Sequence, residues 1–146
     1  MSSPVFPPDP AQLTAFLEEA GKPRLPGLLG IELISLAAGI CTMRLDVGQK
    51  HEASNGFLHA ASVIALADTA AGYGTVASLP PRATGFTTIE LKSNHLSTLR
   101  SGGMVATAEM VHGGRTTQVW DATVTAEETG KTVALFRNTQ LILYPR

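Results

Sequence analysis

The chain has a single cysteine, Cys41, among its 146 residues. One cysteine cannot form an internal disulfide and cannot supply a cysteine-based metal site. A marked excess of charge is also lacking, since 11 basic and 12 acidic residues give a formal net charge of -1. This balance gives no reason to expect nucleic acid or an anionic membrane as a partner.

The first ten residues, MSSPVFPPDP, lack the basic region and apolar run of a secretory signal. We therefore expect a cytoplasmic protein. The chain length predicts one domain over residues 1–146, with the proline-rich residues 1–8 only loosely held.

Charge is also scarce in one long stretch, because Asp68 is the only charged residue between Glu52 and Arg82. The run over residues 55–79 is apolar, rich in alanine and free of proline, which predicts a helix that is buried on nearly every side. Its many small and polar residues and the lack of flanking Lys or Arg disfavour a membrane span. A lone carboxylate in such a helix needs a partner from elsewhere.

The remaining segments change from helical to alternating periodicity. Asp9 and Pro10 predict the start of a short amphipathic helix that ends at Gly21. Residues 31–47 predict a hairpin, and four more strands are predicted over residues 84–96, 104–112, 116–126 and 132–144. This order predicts an α+β fold in which a six-stranded antiparallel sheet wraps around one long central helix.

Two groups of residues carry a family resemblance. They are Gly56-Phe57-Leu58-His59-Ala60-Ala61 and Leu66-Ala67-Asp68-Thr69-Ala70-Ala71-Gly72-Tyr73. They resemble the signature G-x-x-H-[GA]-G and L-x-D-x-A-x-G of the PaaI-like acyl-CoA thioesterases, and the element order resembles the hotdog fold of those enzymes. Arg115, Thr116, Asp121 and Thr139 extend the resemblance along the last strands.

The chain departs from the family pattern in two places. Ala61 stands where the second glycine is usual, although an alanine still offers its backbone N–H group. The family often has an asparagine six residues before the histidine, and that position is Ala53 here. Asn55, four residues before His59, is therefore the candidate for the role of the family asparagine. The alternative is that no residue of this chain has that role.

His59 and Ala60 stand where the resemblance places the start of the central helix. Free N–H groups and a partial positive charge at a helix start can hold a carbonyl oxygen as it becomes negative. We expect the Ala60 amide to donate to this oxyanion, with His59 orienting or assisting. The resemblance implies that Asp68 acts as general base on water or as nucleophile, and both routes stay open.

The spacing of these residues predicts a homodimer. Nine residues separate His59 from Asp68, which is about 13–14 Å along a helix, so the two cannot act on one carbonyl within one chain. Two such helices placed antiparallel about a two-fold axis would bring Asp68 of one chain to the helix start of the other. The resemblance implies the same arrangement, as a dimer or a dimer of dimers.

We expect an acyl-CoA thioesterase that needs no cofactor, since CoA is part of its substrate. The resemblance implies that Thr88 positions the attacking water. Four arginines, Arg82, Arg100, Arg115 and Arg137, are candidates for binding the CoA phosphates, and the scattered histidines suggest no metal site. The alternatives are a hydratase or dehydratase of acyl thioesters with the same fold, and an acyl-CoA-binding module without turnover.

Overall fold

A computed structural model describes residues 5–146. The helices are α1 (Pro10–Gly21), α2 (Leu25–Leu29) and α3 (Ala60–Ala77), with a 3-10 turn over Gln49–His51. The strands are β1 (Glu32–Ala37), β2 (Ile40–Val47), β3 (Gly85–His95), β4 (Gly102–Gly113), β5 (Thr117–Ala126) and β6 (Thr132–Leu143). The predicted α+β order is confirmed, and the connector after α1 also contains the short helix α2.

The six strands form one antiparallel sheet in the order β1-β2-β4-β5-β6-β3. The central helix α3 packs against all six strands, as the sequence predicts. Helix α1 lies beside the carboxyl-terminal half of α3, where the Tyr73 hydroxyl donates to the Leu17 carbonyl at 3.2 Å. Of the residues expected to be loose, 1–4 lie outside the described range, whereas Phe6 packs edge-to-face on Phe16.

Small residues on α3 let it approach the sheet closely. Ala67, Ala70 and Ala71 are fully buried against the core. A Cβ atom built on Gly74 would lie 2.6 Å from the ring of Trp120, which is itself fully buried on β5. Glycine at position 74 therefore makes room for the tryptophan ring, and these positions fix the separation of helix and sheet.

Helix α3 begins five residues later than predicted. A closed loop precedes the helix, and a β-bridge between Glu52 and Leu58 joins its two ends. Gly56 lies inside this loop with a left-handed φ of +81°. Within that loop the Ala53 N–H donates to the Phe57 carbonyl at 2.7 Å. A residue in the left-handed region cannot continue a right-handed helix, so the helix starts only after the loop closes.

The prediction that α3 is buried on nearly every side is wrong for one face of the single chain. Exposed or half-buried residues recur there at helical spacing, and we call them the open stripe: Ala61, Ile64, Ala65, Asp68 and Thr69. Alanine-rich sequence carries no signal that distinguishes this face from the buried one. Within residues 5–146, no helix is both long enough and apolar enough to cross a bilayer.

Candidate active site

The start of α3 presents an unused backbone donor. His59 is the N-cap, and its Nδ1 accepts from the Ala61 N–H at 2.9 Å. The His59 carbonyl accepts from the Ser62 N–H at 3.0 Å. Within the described part of the chain, the Ala60 N–H has no acceptor. The first amide of the helix is thus left for an external oxygen, where the helix dipole favours negative charge.

The bond from Ala61 also sets the tautomer of the His59 ring. Because Nδ1 accepts a hydrogen bond, a neutral ring carries its proton on Nε2. His59 and Ala60 are both exposed. The helix start can therefore offer a backbone N–H at Ala60 and an imidazole N–H at His59.

The buried residue His51 holds this helix start in place. Its carbonyl accepts from the His59 N–H and from the Ser62 hydroxyl, both at 2.9 Å. Its ring accepts from the Gly48 N–H at 2.9 Å through Nδ1, and Nε2 donates to the Leu29 carbonyl at 2.7 Å. The ring is committed at both nitrogens, so His51 serves as a structural link rather than a ligand for a metal.

Asp68 lies in the open stripe, half-buried, with one partner on the sheet. The Asn138 side-chain amide on β6 donates to Asp68 Oδ1 at 2.9 Å. Asn138 is 1% exposed, so its amide cannot turn away to solvent. This contact supplies the partner that a lone carboxylate on such a helix needs, and it leaves Asp68 Oδ2 without a partner among residues 5–146.

Thr88 is anchored to the same strand, one inward-facing position further along. Its hydroxyl donates to Gln140 Oε1 at 2.8 Å, and Gln140 is fully buried. Asn138 and Gln140 are two residues apart on β6, which is about 7 Å. Asp68 and Thr88 therefore contact neighbouring inward-facing residues of β6. His59 and Ala60 lie nine and eight residues before Asp68 in the chain, at the start of α3.

Each of these two buried side-chain amides has one polar atom without a hydrogen bond. Asn138 Oδ1 and Gln140 Nε2 have no hydrogen-bond partner among the described residues. Such atoms cost free energy where they stand, and these two belong to the side chains that bond Asp68 and Thr88. We therefore regard Asn138 and Gln140 as part of the candidate site.

Sequence reasoning missed these two amides. It singled out Thr139, which lies on the opposite face of β6 from Asn138 and Gln140. A signal was present, because Asn138 and Gln140 interrupt an otherwise apolar alternation of Ala134, Phe136 and Ile142. The strand register is needed to decide which parity faces the helix.

The other predicted residues lie further from this arrangement. Asn55 is exposed in the loop before α3, where its Oδ1 accepts from the Phe57 N–H at 3.2 Å. Arg137 is paired with Asp121 on the outer face of the sheet, and this ion pair lowers the pKa of the Asp121 carboxyl. Arg100 lies over the Phe57 ring, 5.2 Å from its centre. Residues 5–146 hold no cluster of three potential metal-ligating side chains of His, Cys, Asp or Glu.

The sequence matches of this chain to known proteins point to one family. Residues 55–133 match the sequence profile of the thioesterase superfamily. The 1,4-dihydroxy-2-naphthoyl-CoA hydrolase of Listeria monocytogenes is 36% identical over 111 residues, which cover 76% of this chain and 89% of that one.

Solved structures agree with the fold. A mutant thioesterase from Pseudomonas aeruginosa superposes with a TM-score of 0.83 at 28% identity, covering 89% of this chain and 93% of that one. The Escherichia coli PaaI protein shares the fold, with a TM-score of 0.75 at 24% identity over 90% of this chain and 96% of that one. The predicted hotdog architecture is therefore confirmed.

Proposed function

The chain belongs to the thioesterase superfamily, and from this membership we propose that it hydrolyses an acyl-CoA thioester to a free acid and CoA. It is a hydrolase by family. Asp68 is the main support for this proposal, because its carboxylate accepts a hydrogen bond from Asn138 and is still half-exposed on the open stripe. A carboxylate that is held at one oxygen and accessible at the other suits a base or a nucleophile.

On the general-base route, Asp68 takes a proton from water while the water oxygen attacks the thioester carbon. The carbonyl oxygen becomes negative and is held by the Ala60 N–H, with the His59 ring beside it. The C–S bond then breaks, and the CoA sulfur leaves with the proton that Asp68 accepted. On the nucleophilic route, Asp68 attacks the carbon itself, the C–S bond breaks, and CoA leaves as the thiolate from a mixed anhydride of Asp68 and the acyl group. Water then hydrolyses this anhydride to the free acid and the Asp68 carboxylate, and the proton that the water releases ends on the CoA sulfur.

In this proposal each site is completed by two subunits. Asp68 of one chain faces the helix start, His59 and Ala60, of its partner, because about 13 Å of helix separates these groups within one chain. The open stripe supports this arrangement, since its small side chains Ala61 and Ala65 allow a second helix to approach closely. Thr88 positions the water near Asp68, and Asn55 shapes the loop before the helix start.

The first test is a free-thiol assay against a panel of acyl-CoAs. Aromatic acyl groups are included because the Listeria relative is named for a naphthoyl-CoA substrate. Release of CoA with turnover is the expected result. Loss of the enoyl chromophore without thiol release would identify a hydratase, and saturable binding with neither change would identify a binding module.

The second test removes the charge of Asp68. Asp68→Asn is nearly isosteric and should lower kcat by about 100- to 10,000-fold without loss of the folded state. Asp121→Asn is the matched control, because it makes the same change at an acid on the outer face of the sheet. An Asp68→Asn enzyme that keeps most of its turnover would contradict the mechanism.

A further inference from the structure

The side chain of Gln140 has one hydrogen bond within residues 5–146, and its partner is Thr88 of the candidate site. The two residues lie opposite each other in the register of β3 and β6, and the Thr88 hydroxyl donates to Gln140 Oε1 at 2.8 Å. Gln140 is fully buried, whereas Thr88 is half-buried. The buried amide therefore holds a hydroxyl group that is still partly accessible.

A second buried amide next to Gln140 has a different use. Gln118 lies opposite Gln140 in the register of β5 and β6 and is also buried. Its Nε2 donates to the Ser78 carbonyl at 2.9 Å, and its Oε1 accepts from the Trp120 ring N–H at 2.9 Å. Both polar atoms of Gln118 thus hold parts of the fold together. Gln140 instead leaves Nε2 without a partner among the described residues and bonds Thr88 alone.

The bond to Gln140 decides what the Thr88 hydroxyl can do. A hydroxyl group has one proton, so a hydroxyl that donates to Gln140 can only accept from a further partner. Asp68 Oδ2 is also an acceptor and has no partner within residues 5–146. A water molecule between two acceptors donates both of its protons, which leaves its lone pairs free for attack. If Thr88 donated to the water instead, it would occupy one of those lone pairs and weaken the nucleophile.

We infer that Gln140 is a positioning residue for hydrolysis, which acts by fixing the direction of the Thr88 hydrogen bond. The inference rests on the proposed function, in its general-base route. The attacking water donates one proton to Asp68 Oδ2 and the other to Thr88 Oγ1. Its oxygen forms the new C–O bond, the carbonyl oxygen takes the electron pair, and the first proton passes to Asp68. Thr88 keeps its own proton, which stays directed to Gln140.

The test is a double-variant cycle measured by steady-state release of CoA thiol. Thr88→Val and Gln140→Met remove the two partners of the bond with little change in shape. Each change alone should lower kcat about 10-fold and leave KM nearly unchanged. The double variant should be no slower than Thr88→Val, because Gln140 acts only through that hydroxyl. Gln140→Glu should retain most of kcat, since a buried carboxyl group stays neutral and still offers a carbonyl acceptor.

Gln118→Met is the control, because it makes the same change at the buried amide opposite Gln140. It should lower Tm and leave kcat of the folded protein unchanged. Multiplicative losses in the double variant would overturn the role of Gln140, as would a normal kcat in Gln140→Met. An equal loss of kcat in Gln140→Glu or in Gln118→Met would also overturn it. All of these outcomes leave the proposed hydrolysis intact, whereas an unmodified chain that releases no thiol would overturn both.

Discussion

The two faces of α3 have similar composition and opposite surroundings. One face is buried against the sheet through Leu66, Ala67, Ala70 and Gly74. The other is the open stripe, which has alanines of its own and also holds Asp68, the only charged residue of the helix. Small residues therefore serve two purposes in this helix. On the buried face they set the distance to the sheet, and on the stripe they leave room around a carboxylate.

If this division is right, changes on the two faces should have separable effects. A change that disturbs the stripe should lower turnover and leave stability nearly intact. A change on the buried face should lower stability and leave the chemistry of the surviving folded protein intact.

After the changes at Asp68 and His59 themselves, the largest effect is expected where a residue of the sheet contacts the stripe. Asn138→Leu keeps the branching at Cγ but removes the donor to Asp68, and should lower kcat by about 10- to 100-fold with little change in KM. Stability should fall little, since Asn138 already has an unpaired buried oxygen. Steady-state kinetics and thermal unfolding measure both quantities.

The control for Asn138→Leu is Thr139→Val, one residue along β6 on its outer face. It should leave kcat unchanged. An Asn138→Leu enzyme with normal kcat would mean that the bond to Asp68 does not position the carboxylate.

A methyl group on the buried face should act on stability alone. Gly74→Ala places a Cβ atom 2.6 Å from the Trp120 ring, an overpacking that should cost about 1–3 kcal/mol and lower Tm by roughly 3–10 °C. Gly72→Ala is the comparison, because its Cβ atom would lie 3.1 Å from the tip of the Phe86 ring. The loss should be smaller there because the contact is less tight, whereas the gain in helix propensity of about 1 kcal/mol is the same at both positions. Equal losses would show that contact with Trp120 is not what requires glycine.

Mixing two inactive variants tests whether the stripe meets a second subunit. Asp68→Ala and His59→Ala should each be inactive alone, whereas random subunit exchange gives mixed dimers with one intact site. Activity should then recover to about a quarter of that of the unmodified protein. No recovery, with exchange verified by mass spectrometry of the intact dimers, would mean that both residues serve a site within one chain.

The smallest effect is an expected lack of reaction at Cys41, which lies on β2 in the core beneath the buried face of α3. Burial raises the pKa of this thiol to about 12 from 9.0, so it stays protonated at pH 8 and inaccessible to a disulfide reagent. The folded chain should show no reactive thiol until it is unfolded. The pKa of the thiol is higher in the folded chain than in the unfolded chain, where it is about 9. The unfolded state therefore loses this proton first, and the free energy of unfolding should fall as the pH rises from about 9 towards 12. Rapid labelling at pH 8 without unfolding would show that the buried face opens.

The order of helices and strands was predictable because its signals are local. Alternating apolar residues and glycine turns mark each strand, and the long uncharged run marks α3. The apolar run placed the helix start wrongly at Asn55, because the left-handed conformation of Gly56 is set by the loop that Glu52 and Leu58 close. The resemblance placed the start at His59 and Ala60, which is where the helix begins.

The candidate site was predictable only in part. The lone charge in a long apolar run pointed to Asp68, and the family resemblance added His59 and Thr88. The roles of all three stay predictions. Asn138 and Gln140 were missed because the face of a strand depends on its register with neighbours distant in sequence. The irregularity between Thr88 and Glu90 further shows that alternation alone can misplace a side chain.

The bonds around His51 also bear on how the molecule opens. One buried residue joins α2, the 3-10 turn and the first turn of α3, although these lie far apart along the chain. Opening any of them breaks contacts to the others, so the segment should unfold as one cooperative unit. In amide hydrogen exchange, the N–H groups of Gly48, His59 and Ser62 should therefore exchange together at a common rate. The Ala60 N–H, which has no acceptor in one chain, should exchange faster than they do until a ligand binds it.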